Sequence, residues 1–153
     1  MQLNPDVARD VLLFLEKELK YEINEGGSIK HNEITLYQVS NDSKLCKKHQ
    51  SNDIAYTITQ LIEDEYVSTI RVNVKNGVIE SAIIVDITPK GHEFLDNIHS
   101  DTIWNATKKR AKVIGKVSLS ALAQGAKFLT DLWMSNPDKF NEIVSQVHNF
   151  MQQ

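Results

Sequence analysis

An Asn-Gly pair set between two alternating apolar runs leaves few folds open to this chain. Asn76-Gly77 is the dipeptide best suited to the positive φ angles of a type I′ turn, so the flanking runs fold back on each other as an antiparallel hairpin. On the outgoing run Ile70, Val72 and Val74 alternate with Arg71 and Asn73, and on the return run Ile83, Val85 and Ile87 alternate in the same way. Thr88-Pro89 follows at once. A cap residue with proline at the first helical position starts a helix at no hydrogen-bond loss, and that helix buries Phe94, Leu95 and Ile98.

Upstream, the pattern is helical. Asn4-Pro5 repeats the cap-plus-proline device, and Val7, Val11, Leu12, Leu15 and Leu19 recur at helical spacing until a stop before Gly26-Gly27. Glu33 to Val39 reads as a short strand, and Asn41 to His49 as a loop or a short polar helix. Ser51 begins a further helix, with its hydroxyl as cap and Asp53 at the positive end of the dipole. Its apolar stripe is Ile54, Ile58, Leu61 and Ile62, and its opposite face shows Asp53, Tyr56, Thr57, Gln60 and Asp64. The order helix, weak strand, helix, long hairpin, helix predicts an α+β fold over residues 1–100. It is a winged helix-turn-helix, with the helix from Ser51 as recognition helix and the long β-hairpin as wing.

The last third, residues 101–153, reads as a C-terminal helical extension. Ser100 caps a long helix over 101–134, along which Thr107, Ala111, Ile114, Ser118, Ala121, Gly125, Phe128 and Leu132 form a seam rich in small residues that lets another helix approach. Ser135-Asn136-Pro137 breaks it, and an amphipathic helix over 137–151 carries Phe140, Ile143, Val144, Val147, Phe150 and Met151. This much apolar surface predicts self-association, with Ala111, Ile114, Ala121, Gly125, Phe128, Leu132, Phe140, Val144 and Val147 as the oligomer interface.

Charge divides along the same line. Residues 1–100 hold 10 Lys and Arg against 16 Asp and Glu, a balance of −6, and residues 101–153 hold 7 against 4, a balance of +3. The lone cysteine, Cys46, excludes an internal disulfide and suits a reducing cytoplasm. The start MQLNPDVARD shows no secretory pattern, and the longest uncharged C-terminal stretch, Val117 to Ala126, is half of the ~20 residues a membrane span needs. A cytoplasmic protein without a membrane role is expected.

No constellation of catalytic chemistry emerges. His92, Asp96 and His99 share one helix face but lack ligands from a second element, so no metal is expected. Cys46 lies beside Lys47, Lys48 and His49 without a second cysteine or an ordered base. Glu63-Asp64-Glu65 reads as a solvated charge run, and no Gly-rich phosphate loop or GxSxG is present. Neither an enzyme nor a cofactor is expected. Nucleic-acid binding is better served: Ser51, Asn52, Tyr56, Thr57 and Gln60 are types that bond phosphates and base edges, and Arg71 and Lys75 on the wing reach a backbone. The cluster Lys108-Lys109-Arg110-Lys112-Lys116 could grip phosphates or balance an acidic partner.

The stretches YTITQLIEDEYV (Tyr56 to Val67) and ITPKGHEFLDNIHSDTIWNATKKRAK (Ile87 to Lys112) resemble a family of small proteins from Gram-positive bacteria and their prophages, the YjcQ-like proteins and related domains of unknown function. The positions that carry the resemblance are Ile87-Thr88, Lys90-Gly91, Phe94-Leu95 and Trp104. It implies a winged helix with a trailing C-terminal helix and an association with phage or mobile elements. The expectation is therefore a non-enzymatic, oligomeric winged-helix protein that binds double-stranded DNA as a regulator. The alternative is an interaction module, an inhibitor or adaptor of a host or phage protein.

Overall fold

The computed structural model describes the chain through residue 152 and its side chains through residue 149. Of the expected apolar positions, Phe150 and Met151 lie outside the described side chains. The chain divides into two compact units, Met1–His92 and Glu93–Gln153.

The first unit opens with α1 (Pro5–Glu18). Asn4 Oδ1 accepts the Asp6 amide at 3.0 Å, and Val7, Ala8, Val11, Leu12 and Leu15 are buried. The helix stops at Glu18, well short of Gly26-Gly27. In between lies a hairpin that sequence reading missed, β1 (Tyr21–Ile23) paired with β2 (Ile29–His31). Its residues are almost all exposed, so no alternation marks it. Instead Asn24 Oδ1 accepts from the Gly26 and Ser28 amides, building the turn locally. The Tyr21 hydroxyl donates to Asp86 Oδ2 at 2.7 Å, tying the hairpin to the main sheet.

The stretch 33–39 is not one strand. It holds the two-residue β3 (Ile34–Thr35) and then α2 (Leu36–Ser40). Thr35 and Gln38 form a reciprocal capping box there, which wins over the β-leaning composition. Between Asn41 and His49 lies α3 (Ser43–Cys46), capped by Asp42. Next comes α4 (Ser51–Glu63), which buries Ile54, Thr57, Ile58 and Leu61 against α1 and α2.

The long β-hairpin is present as expected in outline. β4 (Val67–Lys75) and β5 (Val78–Ile87) meet at Asn76 (φ 53°) and Gly77 (φ 76°), and the sheet order is β3-β5-β4, all antiparallel. The register slips three times. One slip leaves Val85 opposite no partner, so Ile84 and Ile87 are both buried although three residues apart, together with Ala82. Another, at Arg71 with φ 51°, turns the outer half of β4 out of the core, and Ile70, Val72, Val74 and Val78 are exposed. Alternation alone predicts neither.

α5 (Pro89–Ile98) spans the unit boundary and buries Phe94, Leu95 and Ile98. The second unit continues as a three-helix arrangement of α6 (Asp101–Ile114), α7 (Leu119–Ser135) and α8 (Pro137–Gln152), each packed on the other two. The expected single helix over 101–134 is therefore two. Gly115 takes the left-handed conformation (φ 80°) as C-cap of α6, and the Ser118 side chain caps α7 by accepting from the Ala121 amide. The periodicity ran across this break because both helices face the same core. That core holds Trp104, Leu119, Leu122, Ala126, Leu129 and Phe140, with the Trp133 and Phe140 rings 4.6 Å apart between centroids.

Candidate nucleic-acid interface

The far end of α4 is locked in place by the segment after the wing. Glu65 sits at φ 61°, and the Tyr66 amide reaches back to the Leu61 carbonyl at 2.8 Å. The Thr88 hydroxyl donates to the Glu65 carbonyl at 2.7 Å, the Thr88 amide to the Tyr66 carbonyl at 3.1 Å, and Lys90 Nζ to the Asp64 carbonyl at 2.8 Å. Lys90 also lies over the Tyr66 ring, 4.4 Å from its centroid. Gly91 is required by this approach: a Cβ there would overlap the Tyr66 carbonyl oxygen and the Ile87 side chain. Burial, and secondarily the Asp64 charge, push the Tyr66 phenol above its ordinary range. Thr88, Lys90 and Gly91 thus hold the helix and the wing in a fixed relation.

Not every residue expected on the reading face is free to read. Asn52 is exposed, and Tyr56 and Gln60 are half-buried. Thr57 is buried, with its hydroxyl donating to the Asp53 carbonyl at 2.7 Å, so it serves the helix and not the surface. Ser51 does not cap α4. Gln50 occupies the N-cap position without a side-chain bond, and the Ser51 hydroxyl donates to the Ser40 carbonyl at 2.8 Å. Its role is to tie α2 to the start of α4, because the chain folds back there within ten residues. Arg71 and Lys75 are exposed on the wing.

Three cations escaped notice as contacts: Lys44, Lys47 and Lys48, all exposed, on α3 and the turn that leads into α4. Their signal is the basic run KLCKKH itself. Lys48 lies 3.8 Å from Asp10, and His49 Nε2 pairs with the same carboxylate at 2.8 Å, anchoring that turn to α1. Five of the ten Lys and Arg in residues 1–92 therefore fall at the start of α4 or on the wing, although the unit is acidic as a whole.

The C-terminal seam is consumed largely inside its own unit. Ala111 is buried and Ala121 and Gly125 half-buried between α6 and α7; Phe140 is buried, and Val144 and Val147 lie against Ala106 and Leu129. Leu132 is half-buried, while Ile114 and Phe128 stay exposed. Among the described residues no group of three or more His, Cys, Asp and Glu side chains is placed to hold a metal ion. Among the described residues no helix is long and apolar enough to cross a membrane.

Fold and surface together define a mixed α+β protein with small antiparallel sheets and a C-terminal helical region. Residues 2–117 match the family described as hypothetical protein (DUF2513), and the chain belongs to that family. No curated protein and no solved structure matches it.

Proposed function

We propose that the chain is a non-enzymatic winged-helix protein that binds double-stranded DNA as a regulator. α4 would enter the groove and the β4–β5 hairpin would lie along the backbone. The order α1, β3, α2 and α3, α4, β4, β5 and the sheet order β3-β5-β4 support this reading of the scaffold. The observation that carries it is the exposure of Lys44, Lys47 and Lys48 just before α4 and of Arg71 and Lys75 on β4, the elements that would flank a duplex backbone in this reading. α4 itself has no Lys or Arg, so Asn52, Tyr56 and Gln60 do the reading while the flanking lysines supply affinity. The resemblance to prophage proteins supports a phage or mobile-element origin, and the lone cysteine a cytoplasmic setting. Self-association, in this reading, uses the exposed Trp133 and Met134 at the end of α7, since most of the seam is already covered.

Binding of the full chain to mixed-sequence and prophage-promoter duplexes at low salt tests the proposal. The expected result is a complex at micromolar protein that weakens steeply with salt, and more weakly so in a Lys44→Gln/Lys47→Gln variant, where each lost phosphate contact lowers the logarithmic slope by about 0.9. Absence of a salt-sensitive complex overturns it.

A protein partner is the second reading, favoured by one observation. β4 is an edge strand whose outer half exposes Val72 and Val74, with Val78 exposed across the turn, a surface suited to pairing with another chain. Under this reading a defined protein co-purifies and the complex survives nuclease treatment.

A further inference from the structure

We propose that the cleft between α6 and α7 is a binding site for a small organic anion with an apolar body. The cleft holds about 320 Å³, within the range of small-molecule sites, and is formed entirely by the second unit. Gly125 leaves space in its wall, Ile114 and Phe128 supply apolar surface, and Arg110, Lys116 and Gln124 supply every hydrogen-bond donor that a carboxylate, sulfonate or phosphate requires. No Asp or Glu lines it.

The arrangement of Arg110 separates this cleft from a packing gap between small residues. Its guanidinium lines the cleft beside Phe128, 4.5 Å from the ring centroid. A planar guanidinium matches a carboxylate through two parallel bonds. The Phe128 ring lies beside the fork, and no acidic side chain pairs with Arg110 or Lys116 among the described residues. A void lined by alanines alone would take an apolar guest. Two cations and an amide around the same apolar wall select an anion. The proposal is independent of DNA binding.

Calorimetric titration of the full chain with 2-naphthoate and with its neutral isostere 2-naphthamide tests it. One naphthoate should bind per chain, about tenfold or more tighter than the amide. Arg110→Gln should erase that preference. Gly125→Leu fills the cleft while raising helix propensity, so it should abolish uptake of both probes with an unchanged circular dichroism spectrum. Equal binding of the two probes, a preference that survives Arg110→Gln, naphthoate uptake that survives Gly125→Leu, or no uptake by the wild-type chain overturns the site. So does a Gly125→Leu chain whose sedimentation changes while naphthoate never binds, which assigns the cleft to a second copy.

Discussion

The chain leaves both α4 and α6 through a residue in the left-handed region, and the two ends are built on opposite principles. α6 ends on Gly115, which adopts φ 80° without strain, and a Cβ there would meet nothing within 4 Å. Its stop is written locally. α4 is capped by Asp64 and the chain leaves it through Glu65 at φ 61°, a conformation that an L-residue adopts at a cost of about 1–2 kcal/mol. It persists because Thr88, Lys90 and Gly91, from beyond the wing, bond to or pack on Asp64, Glu65 and Tyr66. A strained stop held by tertiary contacts fixes the direction of a helix relative to its hairpin. A glycine stop merely ends one. The difference places the constrained geometry in the unit that carries the proposed DNA surface.

The largest expected effect is at the lock. Gly91→Ala forces a methyl group into the Tyr66 carbonyl, and a loss of about 1–3 kcal/mol in denaturant unfolding is expected, as for overpacked sites. Stability within experimental error of wild type would mean that the approach of α5 to Tyr66 is not needed. Gly115→Ala should cost about 1–2 kcal/mol by imposing the left-handed penalty on the local stop. The two losses should differ in reach: Gly91→Ala weakens DNA binding at temperatures where the chain is still folded, and Gly115→Ala leaves it unchanged.

Smaller changes sharpen the contrast. Thr88→Val removes the hydroxyl that donates to Glu65 and accepts the Gly91 amide, for an expected loss of about 0.5–2 kcal/mol, the range of a lost helix cap. Glu65→Gly relieves the strained angle and should raise the unfolding midpoint by a gain of about 1 kcal/mol or less, since glycine also loosens the unfolded chain. A Glu65→Gly chain less stable than wild type would show that the carboxylate itself matters. The smallest effect is one of pH. The Tyr66 phenol titrates above its ordinary value of 10.0 when folded, chiefly through burial. Its contribution to stability is therefore complete below pH 10.0 and is lost as pH rises through the raised value. Ultraviolet titration of tyrosinate should show two late-ionising tyrosines in the wild-type chain, Tyr66 and the Tyr21 phenol bonded to Asp86, and only one of them in Tyr66→Phe.

Much of the scaffold was legible because local chemistry announces it. Asn4-Pro5, Asn76-Gly77 and Thr88-Pro89 each set backbone angles with their own atoms, and the structure places a helix start or a turn at each. Where the signal was not periodic, reading failed. The β1–β2 hairpin buries almost nothing, and the capping box at Thr35 and Gln38 makes a helix from β-leaning residues. The surface was legible in part. Asn52, Gln60, Arg71 and Lys75 could be named, but the burial of Thr57 and the recruitment of Ser51 to the Ser40 carbonyl depend on where α2 packs.

From the sequence alone came the elements whose geometry a few adjacent residues dictate: capped helix starts, the wing turn, the apolar stripes and the division of charge between the two ends of the chain. Tertiary structure decided the rest. It chose which stripes face a core within the unit, burying Ala111 and Phe140 there while Ile114 and Phe128 stay exposed beside a cleft. It also set the register of the wing, through bulges at Arg71 and Val85 that reverse which apolar residues are buried. The physical reason is one of range. Turn and cap preferences act through bonds between near neighbours, whereas burial and register are settled by whichever distant surface the chain finally meets.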